Sequence, residues 1–465
     1  MITIVTVAML ALSIVEILLL LTTASAYWHA YDAHKQYNRC SKNSTEEWKS
    51  EFKRHTKAIA PEMIEKWKLW PDVISRRDIN EGETMYGFEE GMKAIWKNQH
   101  PEDCSKAQFL IGGGFESGFG SEFHVIGAGL ALAMSMNRVY IMLATNGDSS
   151  LMDKMNSNNR FQVDIDYCRQ QKKMNLECYF EPWSSCTLDD ALKGTTLQTL
   201  RTQGLNIPFN ELKTQTRTER TMIVHLSPEL QDEIPAPLIP MLDCSPFHDA
   251  KRKYWWRSLT VAYLMRPNEP TRQLIMKHRD DKEMVFDKET QQCVSVYVRR
   301  GDKHLEMKLI DDESVFFEMA KQLWGGVKDA TGAAEKNPNM FIGSEDPKVI
   351  DSAIAWGQKN NWQIKYSNLF DRHQVSTGLN AEQQEAARKK NAFVHNEWEY
   401  FTMILNIDAH IRCSAFVCTH RSNYCRVIDE LRATVGHKAN KQYADFSCGS
   451  PPPCIDSPET GIDWR

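Results

Sequence analysis

The sequence has no CxxC pair, no zinc-spaced Cys/His cluster and no Ser–His–Asp arrangement. Those gaps argue against a zinc ribbon, a thioredoxin-like redox centre and a serine hydrolase. No segment repeats at a fixed period, so no repeat architecture is expected. Charge of one sign is not in excess: the formal net charge is -5 over 465 residues, which gives no reason to expect a nucleic-acid partner. Residues 2–22 carry a single charge, Glu16, and no basic residue precedes them. About 20 apolar residues are enough to cross a bilayer. Ala24-Ser25-Ala26 offers small residues for signal cleavage, but the run is long for a signal peptide and favours a retained anchor. Both readings deliver the rest of the chain to the secretory pathway.

What is present agrees with that compartment. The 12 cysteines are even in number, and disulfides in an oxidising lumen account for them most simply. Asn43-Ser44-Thr45 is an N-glycosylation acceptor just beyond the apolar run. The length suggests two domains. Residues 44–100 are polar with scattered Trp and Ile, and read as short helices of a stem rather than core. From 109 the pattern becomes strand (FLIGGG), glycine turn, apolar helix (FHVIGAGLALAMSM) and strand (RVYIMLA), a βαβ signature. A second alternation starts at 253 and includes VSVYV, SVFFEMAKQLW, NMFIGS, PKVIDSAIAWGQKN, SAFVCT and SNYCRVIDELRATVG. The fold expected is α/β, with two facing Rossmann-like domains and a cleft between them. The boundaries read as 1–26 anchor or signal, 27–103 stem, 104–250 and 251–437 domains, and 438–465 irregular tail.

Chemistry concentrates at strand ends, where ligands of α/β proteins sit. The strand VSVYV runs straight into Arg299, Arg300, Asp302, Lys303 and Glu306. Alternation puts Arg299 and Arg300 on opposite faces, so one of them reaches a ligand. A guanidinium fork suits phosphate oxygens, whereas the structural alternative is a pair with Asp302. The turn C-T-H-R-S-N-Y-C, 418–425, follows another strand and opens a helix. Its N–H groups and Ser422 suit an anion, Cys418 and Cys425 are close enough to staple it, and the plainer reading is a Ser N-cap. Glu306 is placed to take a proton from a hydroxyl, or else is an exposed glutamate at a helix start. Asp346 before Pro347 reads first as a helix N-cap. Asp164-Ile165-Asp166 has the form of a metal-binding DxD, a pattern frequent by chance.

Five stretches in order resemble the α1,6-fucosyltransferases that modify N-glycan cores: NQHPEDCSKAQFLI (98–111), WWRSLTVAYLMRP (255–267), YVRRGDK (297–303), EDP (345–347) and FVCTHRSNYCRV (416–427). The resemblance implies a GT-B-type fold, GDP-fucose as donor, inversion at the fucose carbon, and no metal or other cofactor. It implies Arg299 and Ser422 on the diphosphate, Lys303 and Glu306 at the reacting hydroxyl, and Phe119-Gly120 beside the nucleotide. Tyr297, Arg300, Asp302, Glu345, Asp346 and Asn406 complete the implied donor-binding set. It further implies a glycan acceptor and a single-pass Golgi membrane protein with a luminal catalytic part.

The departures are specific. Tyr297 stands where the family has a guanine-holding His, and Asn406 where it has a guanine-reading Asp. Ser117 and Ser121 replace a family disulfide, and Lys303 to Glu306 is one residue shorter. The long stem and C-terminal SH3 domain of vertebrate members are not expected here. The expected function is fucose transfer, with two alternatives: a transferase using another base or acceptor, and a catalytically silent glycan-binding relative.

Overall fold

The computed structural model describes residues 56–57, 59–70, 83–113, 118–143, 165–172, 176–214, 217–226, 233–242, 249–279, 292–300, 309–327, 338–367, 399–439, 441–447 and 454–456. The first half contains helices α1 (Pro61–Trp67) and α2 (Phe88–Gln99), strand β1 (Phe109–Gly112), helix α3 (Phe119–Ser135) and strand β2 (Val139–Met142). Short helices α4 (Ile165–Gln170), α5 (Leu188–Ala191) and α6 (Leu197–Thr202) follow. Strand β3 (Asn206–Pro208), helix α7 (Phe209–Thr214) and strand β4 (Thr221–His225) complete a four-stranded sheet of order β2-β1-β4-β3. Every pairing in it is parallel.

The second half opens with α8 (Asp249–Leu264) and α9 (Glu269–Arg279). Then come β5 (Val294–Tyr297), α10 (Ser314–Trp324), β6 (Asn339–Gly343), α11 (Pro347–Asn360) and β7 (Gln363–Lys365). The chain continues through α12 (Glu399–Arg412), β8 (Ala415–Cys418), α13 (Asn423–Ala433), β9 (Tyr443–Asp445) and β10 (Cys454–Asp456). The sheet order is β10-β9-β8-β5-β6-β7, parallel except for β10 on β9. Reading from β7 to β9, the order reverses between β5 and β8. That is the switch point at which open α/β sheets hold ligands.

Local sequence explains the best-defined elements. Asp346 accepts from the Lys348 N–H at 3.0 Å and Pro347 occupies the first helical turn, so α11 starts where an N-cap and a fixed φ demand it. The capping reading of Asp346 therefore holds. On β5, Val294 and Val296, with Val298 just beyond, face a core shared with α10 and α11, while Tyr297 faces the main core. A strand buried on both faces reads as a nearly unbroken apolar run.

The main core runs from Ile59 to Tyr443 and joins both halves. Helix α8 lies between them: Trp256 Nε1 donates to the Gly127 carbonyl of α3 at 3.0 Å, and the Tyr254 hydroxyl donates to Asp429 Oδ2 of α13 at 3.0 Å. Residues 59–70 and 83–99 correct the stem expectation. Trp67, Leu69, Trp70, Met85, Phe88 and Met92 are buried, and Trp70 Nε1 donates to Asp408 Oδ1 at 2.8 Å. Large apolar side chains scattered through polar sequence here face core, not solvent.

No helix among the described residues is long and apolar enough to cross a membrane. Residues 2–22 and Asn43 lie outside the described residues. Disulfides join Cys104 to Cys186, Cys168 to Cys178, Cys293 to Cys413 and Cys418 to Cys425. The Cys293–Cys413 bridge ties the approaches to neighbouring strands β5 and β8 across 120 residues, whereas Cys418–Cys425 spans 7. In the chain-entropy picture the long bridge stabilises by about 4–5 kcal/mol and the short one by about 2 kcal/mol. Urea unfolding of the two double-alanine variants is expected to show the larger loss for Cys293/Cys413, and the opposite order would contradict that picture.

Candidate active site

The end of β5 is organised by one carboxylate. Tyr297 and Arg299 are two residues apart and share a face. The Tyr297 hydroxyl donates to Glu345 Oε2 at 3.0 Å, and Arg299 Nη1 pairs with Glu345 Oε1. The Arg300 N–H donates to the same Oε1 at 2.7 Å. The Arg300 side chain points the other way, with Nη2 3.4 Å from Glu313 Oε2 at the start of α10. The two arginines thus diverge as alternation requires, and their carboxylate partners are Glu345 and Glu313. Asp302, the partner considered from sequence, lies outside the described residues, as do Lys303 and Glu306. The Arg299 side chain keeps 24% of its surface exposed. Burial, reinforced by Glu345, pushes the Tyr297 phenol well above its ordinary pKa.

Beside it, β8 ends at Cys418 and the bridge to Cys425 closes the turn that opens α13. The backbone donors of this turn divide into two groups. The His420 N–H donates to Asp445 Oδ1 at 2.9 Å, the Arg421 N–H to Ser447 Oγ at 3.0 Å and the Ser422 N–H to the Thr419 carbonyl at 2.9 Å. Those three are committed to the fold. Burial raises the Asp445 carboxyl, but its bonds with His420 and Ser447 outweigh that and hold it at about 2. Ser422 stands at the N-cap with extended backbone and makes no side-chain cap bond. The plain N-cap reading of Ser422 therefore does not hold, and the donors left for an anion are those of the first turn of α13.

The start of α3 closes on this turn. A Cβ on Gly120 would collide with the Asn423 carbonyl, so only glycine allows the approach. The Phe119 ring lies tilted at 4.8 Å from Tyr400 and edge-on at 5.8 Å from Tyr424, and Tyr424 lies 4.7 Å from Tyr297. Phe119, Gly120, Tyr297, Arg299, Glu345 and Ser422 are thus brought together from four separate stretches of sequence.

Helix α12 forms the floor. Asn406 is buried and its Oδ1 has no hydrogen-bond partner. His410, one turn further on the same face, stands edge-on to Tyr297 at 5.9 Å, and burial pushes its imidazole down to about 3, so it is neutral. Asp408 points elsewhere and is fully engaged by Trp70 Nε1 and by Arg279, whose Nη2 is 2.6 Å from Oδ1. It is not a substitute for a base-reading carboxylate at 406.

Two residues escaped sequence reasoning. Glu122, in the first turn of α3, is buried, and burial pushes its carboxyl up to about 8. His124 reaches across to α13. Neither belongs to a motif: Glu122 is revealed only by its burial, and His124 only where α3 meets α13. Asp164 lies outside the described residues, and no group of three metal-ligating side chains occurs among the described ones.

Residues 223–447 match the family model for Alpha-(1,6)-fucosyltransferase N- and catalytic domains. Over that stretch, 225 of the 465 residues, the chain is similar to the α1,6-fucosyltransferases, and it carries a glycosyltransferase domain. The match contains every described member of the constellation except Phe119 and Gly120. Among solved structures, NodZ alpha-1,6-fucosyltransferase soaked with GDP-fucose is similar at 13% identity and TM-score 0.41, over 76% of this chain and 99% of that one. A mutant of Arabidopsis thaliana FUT1 in complex with GDP is similar at 10% identity and TM-score 0.39, over 77% and 74% respectively. POFUT1 in complex with GDP is similar at 10% identity and TM-score 0.38, over 70% and 95%. At these TM-scores the likeness adds nothing to the family match. No curated protein matches the chain.

Glu122 yields a pH prediction. Its folded pKa of about 8 lies above the ordinary 4.5, so the folded state binds the extra proton. The stability it contributes is complete below about pH 4.5 and is lost as pH rises towards 8. By pH 7 to 8 the loss is on the order of 3 kcal/mol. Chemical denaturation at pH 5 and pH 8 should show a decline for the wild type that Glu122→Gln lacks; the same slope in both proteins would contradict it.

Proposed function

We propose that this protein transfers fucose from GDP-fucose to a glycan hydroxyl, the 6-hydroxyl of an N-glycan core GlcNAc, with inversion and without a metal. The observation that carries the reading is the pairing of an accessible, carboxylate-aligned Arg299 with the uncapped first turn of α13 at the switch point of the second sheet. We read the two mainly parallel sheets as the two halves of a GT-B-type fold. Arg299 and the α13 N–H groups would hold the leaving diphosphate, where charge develops as the glycosidic bond breaks. Fixed donors aimed at developing charge are typically worth several kcal/mol of barrier. Glu345 contributes by orienting the Arg299 fork, and Phe119 and Gly120 by closing the nucleotide side. Glu306 is proposed as the base that takes the acceptor proton, with Lys303 beside it. Residues 2–22 would anchor the protein in the Golgi membrane with its catalytic part in the lumen.

A second reading concerns the base. Guanine presents two adjacent donors, N1–H and the 2-amino group, to a carboxylate. Asn406 offers one unpaired carbonyl oxygen, and Asp408 is held by Trp70 and Arg279. A donor with another base remains the alternative on that ground.

Three measurements test these readings. Arg299→Lys keeps the charge but loses the fork, so transfer should fall by at least ~100-fold with folding retained; near-normal turnover would remove Arg299 from the site. Activity should survive a chelator, and loss to EDTA restored by manganese would return attention to Asp164 and Asp166. Calorimetry should rank GDP above UDP and ADP, and Asn406→Asp should tighten GDP by roughly one to two powers of ten, the worth of a charged two-point contact. Equal affinities for the three nucleotides would overturn the guanine assignment.

A further inference from the structure

We propose that His124 is a positioning residue for the transfer, a bolt that fixes the distance between the start of α3 and the diphosphate turn. The proposal rests on the donor reading above. His124 lies one helical turn beyond Gly120, on the same side of α3. Its Nε2 is 2.8 Å from Glu430 Oε2, and its Nδ1 is 3.2 Å from Asn423 Oδ1. Asn423 and Glu430 are seven residues apart, two turns along one face of α13. A single buried imidazole therefore faces an acceptor of α13 at each of two levels; its one N–H serves either, and both are bonded at once only when the ring is protonated.

The upper contact is the informative one. Asn423 is the first residue of α13, and its carbonyl is the group against which Gly120 is pressed. Its Oδ1 also accepts from Arg426 Nη1 at 3.1 Å, and Arg426 Nε donates to the His420 carbonyl at 2.6 Å. His124 is thus linked through Asn423 and Arg426 to the 418–425 turn itself. A core histidine needed only for stability could be satisfied by one nearby carbonyl. This one joins the two halves of the cleft at the element proposed to hold the diphosphate. The fold has other ties at the same junction, since α8 is bonded to both α3 and α13. Losing His124 should loosen the turn and not unfold the protein.

The test uses His124→Phe combined with Glu430→Leu, which removes the bolt without stranding a buried carboxylate. Hydrogen exchange should quicken about tenfold or more at residues 119–124 and 419–426 while β1 and β5 stay unchanged. Loss of a hydrogen bond worth ~1.4 kcal/mol corresponds to about that factor. The KM for GDP-fucose should rise by a similar factor with kcat little changed. His124→Asn, whose amide can replace Nδ1 towards Asn423, should recover donor affinity better than His124→Gln, which can reach only Glu430. A uniform quickening across both sheets, or an unchanged KM, would reduce His124 to a structural residue and overturn the proposal. If the wild type proves inactive with GDP-fucose, the exchange pattern still decides whether the bolt exists, and the donor reading falls separately.

Discussion

Glu345 is the interaction on which the site depends. One carboxylate accepts from the Tyr297 hydroxyl and the Arg300 N–H and pairs with Arg299. It can do so because β6 ends beside β5 and the chain places Glu345 just past it, before the Asp346 cap starts α11. A strand that leaves the core carrying two arginines would otherwise send long, mobile side chains into solvent. Glu345 converts one of them into an oriented fork. A charge-assisted pair of this kind fixes geometry more than it adds stability.

The same division of labour appears at the neighbouring turn. Asp445 and Ser447 take the N–H groups of His420 and Arg421, so the turn holds its shape whether or not anything binds. In the function proposed here the next donors, at the first turn of α13, would meet the ligand, and the Cys418–Cys425 bridge closes the turn that precedes them. Preorganised donors are effective because they need no reorganisation when charge appears.

Much of this was legible in the sequence, for local reasons. SVFFEMAKQLW and PKVIDSAIAWGQKN became helices at the bounds their periodicity and caps suggested, Ser314–Trp324 and Pro347–Asn360. Arg299, Arg300 and the 418–425 turn sat at strand ends because short buried strands are unmistakable. What stayed hidden depended on partners distant in sequence. Asp302, next door, is the pairing that sequence offers Arg299 and lies outside the described residues; the partner seen is Glu345, 46 residues on. The tryptophans at 67 and 70 looked like a stem because their neighbours are polar, and the acceptor for Trp70 is 338 residues away. Asp408 lies two residues from Asn406, yet Trp70 and Arg279, both distant in sequence, hold it. His124 and Glu430 carry no motif and gain meaning only where α3 crosses α13.

We propose that this switch point binds a guanosine diphospho-sugar and passes its sugar to a glycan. The most direct measurement is to incubate the protein with GDP-fucose and a mixture of N-glycan acceptors, then weigh the glycans and quantify GDP. The account predicts acceptors heavier by one deoxyhexose, with GDP released one for one. Glycan masses that stay unchanged while GDP-fucose remains intact would contradict it.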